Sequence, residues 1–206
     1  MKITEIRPQR RSKRLSVFLD GRFGFGISEK TANKLGLAVG LELTEEDVRK
    51  IAKGDELARA KEYSALLLSY RGRTRKEIKQ RLERKGFEPE VVEKAMSRLA
   101  ELKLVDDARF ASDYAESQVK YRHKGKRLVK VELKQLGVGH QDIADAMANA
   151  PDERAAAEEV ARKYNVRNVR LDPRVRRRRL FALLGRRGFS LDTIRAVLDL
   201  SDEESE

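Results

Sequence analysis

The chain of 206 residues contains no cysteine and no tryptophan, and its only histidines are His123 and His140. The absence of cysteine excludes a disulfide scaffold, a thiolate metal site and a thiol nucleophile, and two separated histidines do not make a histidine-rich metal centre. No apolar run approaches the roughly 20 residues that span a bilayer, and the N-terminus lacks the apolar core of a signal peptide. We therefore expect a soluble protein of a reducing compartment that uses no cofactor and no metal.

The composition is highly charged and poor in aromatic residues. Charged residues make up 39% of the chain and aromatic residues 6%, so the core is mostly aliphatic and helices are favoured over a sandwich or barrel. The 46 lysines and arginines exceed the 34 acidic residues and give a net charge of +12. Such an excess attracts a polyanion or an acidic protein surface, and nucleic acid is the commonest partner. The alternative is that the basic residues only keep exposed helices in solution.

Residues 3–27 alternate between apolar and polar side chains, which is typical of a half-buried antiparallel sheet. Asp20-Gly21 predicts a type I′ hairpin turn, because both central residues of that turn need a positive φ. Residues 3–7 add a third strand. The strand with Phe23 and Phe25 loosely resembles the aromatic strand of an RNA-recognition fold, but its regular alternation favours both rings as core residues.

Two helices follow the sheet. Ser28 to Gly36 predicts a short helix with a serine N-cap and a C-terminal glycine. Thr44 and the acidic residues after it open another helix, which we expect to end near Gly54, with Asp55 starting the next. This expected break sets the end of an N-terminal extension at residues 1–54.

The rest of the chain contains a repeat of 51 residues. Gly86, Gly137 and Gly188 are spaced by that interval, and the apolar residues on both sides align at the same offset without a gap. The aligned sets are Ile78, Val129 and Leu180; Leu82, Leu133 and Leu184; Phe87, Val138 and Phe189; and Val92, Ile143 and Ile194. The pattern predicts repeats at residues 55–105, 106–152 and 153–200, followed by an acidic tail at 201–206.

Each repeat is expected to contain three helices, with the glycine ending the middle one in a left-handed conformation. At the constant offset, Asn165 takes the place of Tyr63 and Tyr114 in the first helix. A module of about fifty residues buries little surface alone, so neighbours must stack. The predicted fold is mainly α: three tandem three-helix repeats in an elongated, curved array, preceded by a small N-terminal antiparallel sheet with short helices.

Basic residues recur at the start of the middle helix of every repeat. A cation there faces the positive end of the helix dipole, which indicates a compensating anion, and helix-start amides also favour phosphate. The alternative is a stripe that only keeps the array soluble. The candidate binding residues, called the basic stripe below, are Arg71, Arg73, Arg75, Lys76, Lys79, Arg122, Lys124, Lys126, Arg127, Lys130, Arg174, Arg176, Arg177, Arg178 and Arg179.

No catalytic constellation is present in the sequence. There is no phosphate-binding glycine-rich loop with Lys and Ser or Thr, and no nucleophile elbow. The acidic residues lie three or four positions from Lys and Arg, which is typical of solvated ion pairs on helices. We therefore expect no enzymatic activity and no catalytic residue.

Several segments of the chain resemble the RecX regulatory proteins. Residues 68–77, Leu-Ser-Tyr-Arg-Gly-Arg-Thr-Arg-Lys-Glu, with Lys-Gly-Phe at 85–87, resemble the first repeat of that family. Residues 104–111 resemble the join to its second repeat, and Lys-Gly-Lys-Arg at 124–127 resembles the signature of that repeat. The hairpin at 17–22 is similar to the extension that precedes the repeats in many members.

The resemblance implies a bacterial, cytoplasmic and non-enzymatic regulator of the RecA recombinase. Members of the family bind the RecA–DNA filament, lie along its groove, and limit its ATPase, strand exchange and growth. The implied partners are the RecA filament and single- and double-stranded DNA, and we expect a monomer that binds no membrane. Two alternatives are an autonomous helical-repeat module that binds DNA or RNA and a structural scaffold without affinity for polyanions.

Overall fold

The computed structural model describes residues 1–10 and 13–203, which form a three-stranded sheet followed by ten helices. The elements are β1 (Ile3–Pro8), β2 (Arg14–Leu19), β3 (Arg22–Ser28), α1 (Glu29–Lys34), α2 (Glu45–Tyr70), α3 (Arg75–Arg84), α4 (Pro89–Glu101), α5 (Asp107–Lys120), α6 (Lys126–Gln135), α7 (His140–Asn149), α8 (Glu153–Arg167), α9 (Pro173–Arg186) and α10 (Leu191–Glu203). Of the predicted acidic tail, residues 204–206 lie outside the described residues.

The chain divides into two compact units. The first contains Met1–Arg71 and Ile78–Leu104, and the second contains Gly72–Glu77 and the chain from Val105 onward. The N-terminal sheet and most of the first repeat therefore belong to one unit. The second and third repeats, together with the start of α3, form the other.

The predicted antiparallel sheet is confirmed, with strand order β1-β2-β3. Asp20 and Gly21 have φ values of +48° and +80°, as the predicted type I′ turn requires. Val17 pairs with Phe25 across β2 and β3, and both are buried together with Ile27 in a small core. The alternation of the sequence therefore predicted the sheet and its buried face.

The prediction that both aromatic rings of β3 are core residues is wrong for Phe23. Phe18 pairs with Phe23 while Val17 pairs with Phe25, so Gly24 is an extra residue and forms a bulge. The bulge moves Phe23 to the other face of the sheet, where its side chain is 62% exposed and makes an edge contact with Phe18. A Cβ at Gly24 would lie 2.7 Å from a methyl carbon of Leu19, so a larger residue in the bulge would displace that buried side chain.

The predicted helix start at Thr44 is confirmed, but the predicted helix end near Gly54 is wrong. Thr44 and Asp47 form a capping box, and α2 then continues without interruption to Tyr70. Glycine ends a helix when it adopts a positive φ, and Gly54 is not among the residues that do so. Asp55 is not an N-cap either: its buried carboxylate accepts hydrogen bonds from Ser28 N–H and the Arg14 guanidinium.

The repeat itself is confirmed by its glycines. Gly86, Gly137 and Gly188 have φ values of +84°, +85° and +83°, and each follows the middle helix of a three-helix repeat. The aligned apolar residues on both sides of the glycines are buried, and those of the second and third repeats share one core. The fold class is thus mainly α, with three three-helix repeats behind a small sheet.

The constant offset of 51 fails for the first helix of the third repeat. α5 begins at Asp107 and α8 at Glu153, an offset of 46, and the buried residues Ala111 and Ala157 match at that interval. The equivalent of Tyr114 is therefore Val160 and not Asn165. The chain restores the longer interval within the helices, because α8 is one residue longer than α5 and α9 is four residues longer than α6, whereas the turn between them has the same length in both repeats.

Candidate polyanion-binding surface

The backbone amides at the basic helix starts are capped by carboxylates of the protein itself. The N–H of Arg75 donates to Asp107 Oδ1 at 2.8 Å, and the N–H of Lys126 donates to Glu153 Oε2 at 2.6 Å. At the start of α9, Asp172 Oδ1 accepts from the N–H groups of residues 174 and 175. The anion that compensates each helix dipole is therefore intramolecular, and these amides are not open phosphate sites.

Glu153 caps two helices at once. Besides the N–H of Lys126 in α6, its carboxylate accepts from the N–H of Ser190 at 2.9 Å and from the hydroxyl of Thr193 at 3.0 Å, both at the start of α10. Its side chain is buried. Burial by itself raises the pKa of Glu153, but the hydrogen bonds from Lys126, Ser190 and Thr193 outweigh it and leave that pKa below its usual value.

Asp107 caps α3 in the equivalent position, but its pKa shifts in the opposite direction to that of Glu153. Burial raises the pKa of Asp107 above its usual value. The hydrogen bond from the Arg75 N–H and the charge of the Arg75 guanidinium lower this pKa, but by less than burial raises it, and the nearby carboxylates of Asp142 and Asp106 raise it further. The first residue of α5 and the first residue of α8 thus cap the middle helix of the preceding repeat in the same way, with different charge surroundings.

The starts of α3 and α6 pack against the glycine turn of the next repeat. Thr74 donates its hydroxyl to the Leu136 carbonyl at 2.7 Å, and Gly125, which is 51 residues later, donates its N–H to the Arg187 carbonyl at 2.8 Å. A Cβ at Gly125 would lie 2.2 Å from backbone atoms of Gly188. Part of the basic stripe therefore lies at joins between repeats.

Several members of the basic stripe have partners within the protein. The ammonium of Lys126 donates to the carbonyls of residues 147 and 150 at the end of α7, and that of Lys76 donates to the carbonyl of residue 135. Ion pairs join Lys79 to Glu93, Lys124 to Glu132 and Arg177 to Asp199. Arg73 is buried, with 9% of its surface exposed, and Arg71 is exposed and also makes an intramolecular contact. These residues support the architecture of the repeats.

The other members of the stripe are solvent-accessible cations whose side chains have no ion pair or hydrogen bond with residues 1–10 and 13–199, the part of the chain in which side chains are described. Arg176 is half-buried, and the rest are exposed. All of them belong to the second unit. These unpaired cations are Arg75, Arg122, Arg127, Lys130, Arg174, Arg176, Arg178 and Arg179.

Sequence reasoning missed the residue that joins the repeats, Glu153. Glu153 is one acidic residue among many, so nothing in its local sequence marks it. The constant offset of 51 aligns Glu153 with Leu102 and therefore with no capping residue. The offset of 46 is the signal that finds it, because it aligns Glu153 with the capping residue Asp107.

The residues that the structure describes contain no cluster of three or more His, Cys, Asp or Glu side chains arranged to hold a metal ion. Within the same residues, no helix combines the length and apolar character needed to cross a membrane.

The fold and the capped helix starts define the class of protein: a helical-repeat protein made of three three-helix domains that follow a small sheet domain. Domain models of one family match these parts in chain order. The regulatory protein RecX N-terminal domain matches residues 1–44, and the first, second and third three-helix domains of RecX match residues 60–99, 106–147 and 152–198.

Relatives over nearly the full chain carry the same description. Regulatory protein RecX of Leuconostoc mesenteroides subsp. mesenteroides is 32% identical over 200 residues, which are 96% of this chain and 75% of that protein. Regulatory protein RecX of Bacillus subtilis (strain 168) is 30% identical over 207 residues, which are 99% of this chain and 78% of that protein. The chain belongs to the RecX family of regulatory proteins.

Two solved structures have the same fold. A crystal structure of regulatory protein RecX superposes with a TM-score of 0.70 at 30% identity, over 96% of this chain and 98% of that chain. The crystal structure of RecX from Lactobacillus salivarius gives a TM-score of 0.66 at 23% identity, over 72% and 98% of the two chains. At that lower identity the likeness concerns the fold alone.

Proposed function

We propose that this chain is a non-enzymatic, cytoplasmic regulator of the RecA recombinase. It binds along the groove of the RecA–DNA filament as a monomer and limits ATPase, strand exchange and filament growth. Membership of the RecX regulatory proteins supports this proposal at the level of the family, and the distribution of cations supports it at the level of residues.

The observation that carries the proposal is the separation of the basic stripe into paired and unpaired cations. Among the described residues, every unpaired member belongs to one compact unit, and four of the five stripe arginines of α9 lie among them. Desolvating an unpaired surface cation against phosphate or an acidic protein surface breaks no intramolecular ion pair, so its charge is available for binding.

The proposal therefore assigns different roles to the two groups. The unpaired cations contact the filament, each weakly, and their contributions add along one track. Lys124, Lys126 and Arg177, which are held by intramolecular partners, act indirectly by fixing the helices that carry the first group.

The test compares binding to naked DNA with binding to RecA-coated DNA and records filament ATPase over time. The proposal predicts tighter binding to the coated filament and a progressive loss of ATPase. Equal affinity for naked and coated DNA with unchanged ATPase would favour the autonomous DNA- or RNA-binding module instead. Absence of binding to any polyanion would leave only the structural scaffold.

A further inference from the structure

A cleft in the second unit is lined by cations and by two tyrosines. It has a volume of about 340 Å³ and lies where the turn after α5 meets α8 and α9. This volume falls within the range of small-molecule sites, about 300–1,000 Å³. The lining residues that matter for its chemistry are Tyr121, His123, Tyr164, Arg167, Leu183 and Arg187.

The cleft is strongly positive at its edge. Arg122, Lys163 and Arg167 line it and are exposed. Among the side chains described, those of residues 1–10 and 13–199, only Lys163 of these three has an acidic partner, Glu159. Arg187 uses one guanidinium nitrogen to bind the carbonyls of Arg122 and His123 at 3.3 and 3.2 Å. A guanidinium has five N–H donors, so Arg187 fixes the turn and keeps further donors for an anion.

The turn at the edge of the cleft has two unusual features at His123. Its backbone has a φ of +49°, a conformation that non-glycine residues adopt infrequently. Its Nδ1 atom is buried and has no hydrogen-bond partner among the described residues. A buried polar atom without a partner and a strained backbone often coincide at binding sites.

The preceding join between repeats provides an internal comparison. There the turn residue equivalent to His123 is Gly72, and a Cβ built on it would touch the ring of Phe110 at 3.5 Å. Phe110 in turn stacks on Tyr114. At the offset of 46 these rings are replaced by Ala156 and Val160 in the third repeat, so smaller side chains leave room for the cleft at the second join.

We propose that this cleft binds one nucleotide of single-stranded DNA. The base contacts Tyr121 and Tyr164 above the apolar side chain of Leu183, and the phosphates contact the guanidinium groups of Arg167 and Arg187. Aromatic rings bind unstacked bases of any sequence, and arginine forms paired hydrogen bonds with phosphate. Bases in a duplex are stacked on both faces, so the site selects a single strand. The inference rests on the polyanion binding in the proposed function but not on RecA.

Tyr121 and Tyr70 make the test specific. They occupy the same position of successive repeats and are similarly exposed, 67% and 75%, but only Tyr121 lines the cleft. We therefore compare Tyr121→Ala with Tyr70→Ala in the full chain, by fluorescence anisotropy with a labelled oligothymidylate and with the same oligomer carrying abasic sites. We expect Tyr121→Ala to weaken binding to oligothymidylate roughly 5- to 150-fold, the effect of losing one stacked base. Tyr70→Ala should bind as the wild type does.

Tyrosine emission provides a direct readout, because the chain has five tyrosines and no tryptophan. Oligothymidylate should quench the emission, and Tyr121→Ala should lose part of that quenching. Quenching by free thymidine monophosphate as well would extend the site to free nucleotides. The proposal is overturned if Tyr121→Ala binds oligothymidylate like Tyr70→Ala, or if it loses equal affinity for the abasic oligomer.

The same variants separate this inference from the proposed function. If Tyr121→Ala loses the base-dependent affinity but the wild type does not inhibit RecA, the nucleotide site in the cleft is supported and the proposed regulation of RecA is refuted. If the wild type inhibits RecA but Tyr121→Ala keeps its full affinity for oligothymidylate, the regulation of RecA is supported and the nucleotide site is refuted. Arg167→Gln should lower affinity for intact and abasic oligomers alike, because it removes a phosphate contact; unchanged affinity would overturn its assignment.

Discussion

Replacing Glu153 should destabilise the protein more than replacing any exposed acidic residue, because its carboxylate caps α6 and α10 together. Glu153→Ala leaves the N–H groups of Lys126 and Ser190 without their acceptor. A buried donor that loses its partner costs about 1–3 kcal/mol, so two donors cost roughly 2–6 kcal/mol, with about 4 as the central value. At roughly 2–4 °C per kcal/mol for a chain of this size, the melting temperature should fall by about 8–16 °C.

The assay is thermal and urea unfolding followed by circular dichroism, with Glu158→Ala as the matched control. Glu158 lies in the same helix and makes an exposed ion pair with Arg154, so its loss should cost only about 0.5 kcal/mol. A melting temperature of Glu153→Ala within 2 °C of the control, an interval that corresponds to about 0.5–1 kcal/mol, would show that the Glu153 carboxylate does not stabilise the two helix starts.

The pH dependence of this contribution has a defined sign. Because the pKa of Glu153 in the folded protein lies below its usual value of 4.5, the stability it provides is fully present above about pH 4.5 and is lost as the pH falls through the lowered pKa. Glu153→Gln keeps the size of the side chain and one acceptor oxygen but removes the charge. The difference in stability between wild type and Glu153→Gln should therefore shrink on acidification; a difference that is constant from pH 7 to pH 3 would contradict the assignment.

Three further predictions concern glycines and salt. Gly188→Ala should lower the free energy of unfolding by about 2–4 kcal/mol, because Gly188 has a φ of +83° and a Cβ there would meet the Leu128 backbone nitrogen at 2.4 Å. The control is Gly185→Ala, which lies within α9 and faces open space. In urea unfolding this control should be as stable as the wild type or more stable. Gly54→Ala should stabilise the chain by about 0.5–1 kcal/mol, since Gly54 lies inside α2 with no atom near a built Cβ; destabilisation would show that the helix is interrupted there. If about five to eight phosphates are contacted, the logarithm of the affinity for naked duplex DNA should fall against the logarithm of salt concentration with a slope of roughly −4.5 to −7. A flat response in a salt titration would indicate a mainly protein-mediated interface.

Sequence periodicity was sufficient for the elements whose geometry is encoded locally. The three glycines at the interval of 51 predicted left-handed helix ends, and Asp20-Gly21 predicted the hairpin turn, because each conformation depends on the residue itself. The break at Gly54 was wrong because a glycine inside a helix has the same local sequence signature as one that ends it. Only the packing of α2 along its length decides between the two.

The sites depend on contacts that sequence spacing does not reveal. The bulge at Gly24 exposes Phe23, and it arises from the registry of two strands. In the sequence the members of the basic stripe are equivalent cations, yet in the structure Lys126 is held by carbonyls at the end of α7 while the side chain of its neighbour Arg127 is unpaired among the described residues. Charge is visible in a sequence, whereas the partner that neutralises it is distant along the chain.

In the proposed function, the unpaired cations of the second unit contact the RecA filament. The direct test is the ATPase rate of RecA filaments with the triple variant Arg127→Glu, Lys130→Glu and Arg178→Glu. These three side chains are exposed and have no ion pair within the described residues, so reversal does not remove an internal contact, as it would at Lys126. The control is a variant with equal charge change at other exposed positions, Lys34→Glu, Lys103→Glu and Arg195→Glu.

Both variants must first show the helical circular dichroism signal and melting temperature of the wild type. We expect the first variant to leave filament ATPase at the rate without regulator, while the control inhibits as the wild type does. Full inhibition by the folded first variant would contradict the account.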